Sequence, residues 1–147
     1  MSARLGLRRV FRQDLASANP YALFALRADG GEGPTPDFWA SLLWRKLMGT
    51  RVLSVTSTAN DTLRAYAHCA ANTTGELSLV LINLGSANVS ASLGDSQASA
   101  EPVVYTLSPA GGDFTSTTAM LNGVELRPEA DGSPPDVVAL GKRHGPG

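Results

Sequence analysis

The sequence predicts a mainly β chain, with an antiparallel β-sandwich over residues 50 to about 127 preceded by an α/β-type piece over residues 1–49. Three observations carry this. A strongly patterned helix precedes residue 50. The apolar period then falls to two. Short strand-like runs follow, separated by turn residues.

The helix lies in "TPDFWASLLWRKLMGTRVLSV", residues 35–55, which holds both tryptophans. Thr35 stands at the N-cap, Pro36 at the first helical position and Asp37 in the first turn, where the helix dipole favours an acid. Trp39, Leu43 and Leu47 share one face at i, i+4 spacing, Phe38 and Leu42 widen it, and Trp44 and Met48 lie further round. Arg45 and Lys46 fall in the last turn and Gly49 is the expected stop. Apolar residues cover more than half the circumference, so this helix needs cover on more than one side.

Beyond Gly49, "TRVLSVTS" (50–57) reads as a strand. "LRAYAHC" (63–69) alternates Leu63, Ala65, Ala67 and Cys69 against Arg64, Tyr66 and His68. "LSLVLINL" (77–84) is nearly all apolar and reads as a central strand buried on both faces. "NVSASL" (88–93) and "PVVYTLS" (102–108) continue the series, and "TAMLNGVEL" (118–126) is a hairpin around Asn122-Gly123. Before the helix, residues 4–11 read as a helix end and a strand, and 14–35 as irregular, with "ADGGEGPTP" (28–36) a loop. Residues 128–147 are Pro/Gly-rich and are expected to form a flexible tail.

The chain has 147 residues, 43% of them apolar, which is enough for a real core. No apolar run approaches the roughly 20 residues of a membrane-spanning helix. The net charge is −1 and the charges are scattered, which gives no footprint for nucleic acid. The N-terminal "MSARLGLRRVFRQDL" lacks the apolar core of a signal peptide. Three Asn-x-Ser/Thr acceptors, at Asn60, Asn72 and Asn88, are candidate glycosylation sites and point toward a secretory route. The single cysteine, Cys69, is either a small buried hydrophobe or a half-cystine whose partner lies outside this chain.

Candidate chemistry is sparse. His68 alternates with Arg64 and Tyr66 and reads as a solvent-side or edge residue, while His144 sits in the Gly/Pro tail. One cysteine beside one histidine is a poor metal set, and "ADGGEGP" lacks the lysine of a phosphate loop. The five glutamates, Glu32, Glu76, Glu101, Glu125 and Glu129, all read as loop, turn or hairpin residues. No catalytic residue, metal ligand or cofactor site is assigned from the residues themselves.

The 35–55 stretch resembles the end-of-barrel segment of the heparanase-like glycoside hydrolases, family 79. That family carries a Pro-Asp-aromatic-aromatic start, a Leu-Leu-aromatic middle and a Gly end leading into a Val-Leu strand. "SARLGLRRVFRQDL", with Arg12-Gln13, resembles the last barrel helix and strand. "LRAYAHC", "LSLVLINL" and "MLNGVEL" resemble successive sandwich elements, so the likeness runs over residues 2–127.

The resemblance implies a β-sandwich preceded by the last strand and helix of an incomplete (β/α)8 barrel. It implies descent from a retaining β-glucuronidase acting on a glycan or proteoglycan. The two catalytic glutamates would precede residue 1, so this chain alone is expected to be inactive. The partner of Cys69 would be a cysteine on a last sandwich strand that this sequence lacks. Localisation would be extracellular, lysosomal or vacuolar, or membrane-associated. Tyr21 corresponds to a tyrosine of the family's glucuronide subsite. Asn19 and Pro20 stand where glycine and asparagine are expected, and proline removes an N–H. Tyr21 is therefore either a substrate contact, with Asn19 beside it, or a packing aromatic. The rival reading is a non-catalytic secreted sandwich module that binds carbohydrate or a partner chain.

Overall fold

A computed structural model describes residues 5–6, 9, 11, 14–17, 21–26, 31–58, 62–92 and 101–143. Among them the chain is mainly β, with one α-helix and eleven short strands. It divides into two compact units, residues 1–9 with 45–100 and residues 10–44 with 101–147. The expected helix and strand over residues 4–11 fall largely outside the described residues.

The first unit is built where a helix runs straight into a strand. Helix α1 (Pro36–Leu47) is followed at once by β4 (Met48–Leu53), with no loop between them. Gly49 is therefore a strand residue, two positions beyond the helix end, rather than a helix stop. β4 pairs antiparallel with β5 (Leu63–Ala70), and β5 with β6 (Leu77–Asn83), in the order β4-β5-β6. Between Met48 and Val52 the register slips: four steps along β4 oppose two along β5, from Ala70 to His68. Such a bulge leaves backbone groups without ladder partners.

The β5–β6 hairpin supplies those partners. The Leu47 carbonyl accepts from the Ala71 N–H at 3.0 Å and from the Ser78 hydroxyl at 2.7 Å. The Asn72 amide donates to the Lys46 carbonyl at 3.3 Å. The Gly49 carbonyl lies 2.6 Å from His68 Nδ1. A carbonyl only accepts, so Nδ1 carries the proton. Gly49 is obligatory for this approach, because a Cβ there would lie 2.6 Å from the Cys69 carbonyl oxygen.

Two expectations are corrected here. His68 is not solvent-side but 5% exposed, because the bulge needs a buried donor and the imidazole provides it. Among the described residues the run 77–84 forms an edge strand rather than the expected central one. β6 has one strand neighbour among the described residues, and its Leu77, Leu81 and Ile82 side chains are exposed. A continuous apolar run does not by itself say which faces are covered.

In the second unit β1 (Ala16–Ser17) pairs parallel with β2 (Phe24–Leu26), which pairs antiparallel with β3 (Glu32–Pro34). Glu32–Pro34, expected within a loop, is thus an edge strand, a position where proline's missing N–H is tolerated. The Thr35 N–H prolongs this ladder to the Leu23 carbonyl at 2.9 Å. Thr35 begins the helix through its carbonyl, which accepts from the Phe38 N–H at 3.0 Å and the Trp39 N–H at 3.3 Å. Its hydroxyl points back instead, 3.1 Å from the Leu23 carbonyl. The Phe38 ring stands 4.9 Å from Phe24 and 5.0 Å from Trp39, and the Trp39 side chain is 1% exposed.

The rest of this unit is two small antiparallel sheets. β7 (Val103–Val104) pairs with β11 (Lys142–Arg143). β8 (Leu107–Pro109), β9 (Ala119–Leu121) and β10 (Val124–Glu125) form the other. The β9–β10 turn has Asn122 at φ 51° and Gly123 at φ 83°, the doubly left-handed turn that Asn-Gly favours. Asn122 also ties the sheets together. Its amide donates at 2.8 Å to both the Val104 and the Leu140 carbonyls, and its Oδ1 accepts from the Thr106 N–H at 2.8 Å. Residues 88–92 form no strand. Within the expected tail, Val137 is buried and β11 is paired to β7, so residues 137–143 do not stand free.

Tyr105 closes this corner. Its hydroxyl donates to the Val138 carbonyl at 3.1 Å, and its pKa is raised above the ordinary 10.0, by burial first and by the Asp136 charge second. A raised value means that the folded chain holds this proton more tightly than the unfolded chain. Stability is therefore full below 10.0 and falls as pH rises above it. Unfolding followed across that range should show the decline, and Tyr105→Phe should flatten it. Trp39→Ala should cost roughly 3–5 kcal/mol in denaturant unfolding. His68→Leu should cost about 1–3 kcal/mol in the same measurement, because the Gly49 carbonyl loses its donor.

Candidate functional site

The side chains singled out for chemistry do not converge. His68 and Cys69 are successive residues of β5, so their side chains project from opposite faces of the sheet and form no thiol–imidazole pair. Glu32, Glu76, Glu101 and Glu129 are exposed at separate strand and turn positions. Glu125 is held by the Arg127 guanidinium at 2.7 and 2.8 Å. Among the described residues no three His, Cys, Asp or Glu side chains gather so as to hold a metal ion.

The carboxylates held below their ordinary range belong to turns. Asp113 accepts from the Thr115 N–H at 2.8 Å and hydroxyl at 2.7 Å, and the backbone bond lowers its pKa most. Asp131 is lowered first by the Ser133 hydroxyl, at 2.7 Å, and then by its N–H, at 2.9 Å. Both are explained by local turn geometry, so neither marks a catalytic acid.

Of the subsite pair expected from the resemblance, Tyr21 is 68% exposed, next to the buried Ala22 at the entry to β2. Asn19 and Pro20 lie outside the described residues, as does Asn60. Asn72 and Asn88 are exposed, Asn72 in the β5–β6 turn and Asn88 in the segment after β6.

The concave feature of the first unit was not anticipated from the sequence. An open depression of about 630 Å³ lies at the end of the β5–β6 hairpin, bordered by Arg51, Cys69, Asn72, Thr73 and Glu76. Its rim carries a cation, an anion, an amide and hydroxyls, and Leu53, Ala70, Ala71 and Leu77 also line it. The cue was the polar turn "NTTGE" (72–76) between two apolar strands, which reads simply as a turn until β4 brings Arg51 beside it.

No family model matches the chain. Curated relatives do. The chain is 33% identical over 131 residues to baicalin-β-D-glucuronidase of Scutellaria baicalensis, covering 89% of this chain and 24% of that protein. It is 35% identical over 136 residues to heparanase of Bos taurus, covering 86% and 24%. Heparanase-like protein 1 of Arabidopsis thaliana is 32% identical over 169 residues, covering 93% and 30%. The chain thus spans about a quarter of the length of the relatives it matches. With this agreement along most of its residues, the chain belongs to the heparanase-like family of glycoside hydrolases, family 79.

Proposed function

We propose that this chain is the C-terminal scaffold region of a heparanase-like retaining β-glucuronidase, with the two catalytic glutamates carried on a part of the protein outside these residues. The observation that carries the reading is the alignment itself: 86–89% of the chain matches about a quarter of a glucuronidase and of a heparanase. The dispersed glutamates are in keeping with it. Double-displacement chemistry needs two carboxyl groups roughly 5 Å apart across one cleft. Here four glutamates are exposed on different elements and the fifth is neutralised by Arg127.

In this reading residues 1–49 correspond to the end of a (β/α)8 barrel and 50–127 to its β-sandwich. The substrate of the whole protein is a glucuronide linkage in a glycan or proteoglycan, and Tyr21, with Asn19, borders the glucuronide subsite. The compartment is extracellular, lysosomal or vacuolar, or membrane-associated, with Asn60, Asn72 and Asn88 as glycan acceptors. The exposure of Asn72 and Asn88 supports that role. No helix among the described residues is long and apolar enough to cross a membrane.

The open depression at the β5–β6 turn favours a second reading, a secreted non-catalytic module that binds carbohydrate or a partner chain. A glycan-binding screen separates the two, since specific retention of a glycan by the purified chain supports the module.

The test of the first reading has two parts. Purified 147-residue chain should release no aglycone from an aryl β-glucuronide above the blank. Turnover would overturn the assignment of the glutamates to another region. Full-length cDNA should extend the reading frame upstream into a barrel with two strand-end glutamates, and a transcript that starts at Met1 would overturn the parent enzyme.

A further inference from the structure

We propose that Asn122-Gly123 is a latent deamidation site, kept intact by the folded second unit and converted to aspartate and isoaspartate when that corner opens. The inference is independent of the glucuronidase reading. It rests on bonds made wholly within residues 104–142.

The chemistry needs only water. Asn122-Gly123 is the sole Asn-Gly pair in the sequence, and glycine leaves the attacking nitrogen unhindered by any side chain. The Gly123 nitrogen attacks Asn122 Cγ, so an N–Cγ bond forms and the Cγ–Nδ2 bond breaks. Nδ2 leaves as ammonia, taking the proton that Gly123 gives up. Water then opens the five-membered imide at either carbonyl, which yields aspartate or isoaspartate.

Nothing crowds the nucleophile in the fold. Gly123 is exposed, and a Cβ placed on it would meet no atom within 4 Å. The Lys142 ammonium, 2.9 Å from the Asn122 main-chain carbonyl, draws electrons from the Gly123 nitrogen and makes its proton easier to remove. The restraint therefore lies in the side chain. Nδ2 donates at 2.8 Å to both the Val104 and the Leu140 carbonyls, and Oδ1 accepts from the Thr106 N–H at 2.8 Å. Attack turns the planar Cγ tetrahedral and carries it onto Gly123, so these three bonds must be given up together. Conversion waits for the corner to open.

The products then keep the corner from closing. Aspartate puts an oxygen where Nδ2 stood, beside two carbonyls and with no hydrogen to donate. Isoaspartate runs the main chain through the side-chain carbon and lengthens the turn that sets Val124 opposite Leu121. A chain that has opened long enough to convert no longer folds back to the same corner.

The test uses the full chain at one mildly alkaline pH, across a denaturant series. Cleavage before Asp113 and Asp131 releases the 113–130 peptide, whose mass reports the loss of the amide. Conversion should follow the unfolded fraction. It should be at least about tenfold slower in the native chain than in the fully unfolded one, a ratio that an opening free energy of about 1.4 kcal/mol already gives. An equal rate with and without denaturant would overturn the protection. Chain converted in denaturant and returned to buffer should unfold at a lower denaturant midpoint than an unconverted control, or without a cooperative transition. Asn122→Asp should behave in the same way. An unchanged midpoint in either would overturn the block to refolding, and the rate comparison on the unmodified chain stands even if the variant does not fold.

Discussion

The first unit depends on one constraint: the carbonyls exposed where α1 runs into β4 must find donors. A helix leaves its last carbonyls unbonded, and a bulge adds more. Ordinarily a turn and a glycine in left-handed conformation would satisfy them. Here there is no turn. Leu47 ends the helix, Met48 begins the strand, and the β5–β6 hairpin donates to Lys46, Leu47 and Gly49 through Asn72, Ala71, Ser78 and His68. The hairpin register, the burial of the histidine and the need for glycine at 49 are consequences of that single geometry. It also fixes the depression, since the turn that caps the helix is the turn that borders it.

The second unit solves a like problem with one side chain. Its strands are two or three residues long, too short to hold a sheet by ladder bonds alone. Asn122 stands at the turn of β9 and β10 with its amide bonded to the residues next to β8 and β11 and to β7 itself. The Lys142 ammonium donates to the Asn122 carbonyl at 2.9 Å from the far side. An aspartate at the same turn would keep the left-handed backbone but lose both amide donors. Asparagine is therefore chosen here for its side-chain bonds as well as its backbone preference.

What was legible in the sequence followed from local chemistry. The helix and its start at Pro36, with Asp37 and the Arg45-Lys46 pair near its ends, and the Asn122-Gly123 hairpin were legible, though not the helix end at Leu47, because propensity and turn type act over a few residues. The mainly β class followed from the short period-two runs. What escaped was set by partners distant in sequence. Whether "LSLVLINL" is central or edge depends on the strands beside it, not on its own composition. His68 is buried because of Gly49, 19 residues away, and no alternation pattern carries that. The Thr35 hydroxyl, placed to cap its own helix, is drawn to the Leu23 carbonyl by the β2–β3 pairing. The depression was not legible, because Arg51 joins it through the sheet.

On the reading proposed above, these devices bear on how a region that carries neither catalytic glutamate can matter to a glycosidase. Catalytic carboxylates must be held within fractions of an ångström, and that rigidity comes from elements packed behind them. A loop between α1 and β4 would let the last turn of the helix and the sheet after it move separately. The direct junction removes that freedom, because the last helical carbonyls are bonded to the same hairpin that pairs with β4. In a parent enzyme built as proposed above, a displacement of the hairpin would therefore be transmitted to the last turn of α1 without slack. On that reading the contribution of this region to catalysis would be mechanical. It would be made by backbone carbonyls and their donors rather than by reactive side chains.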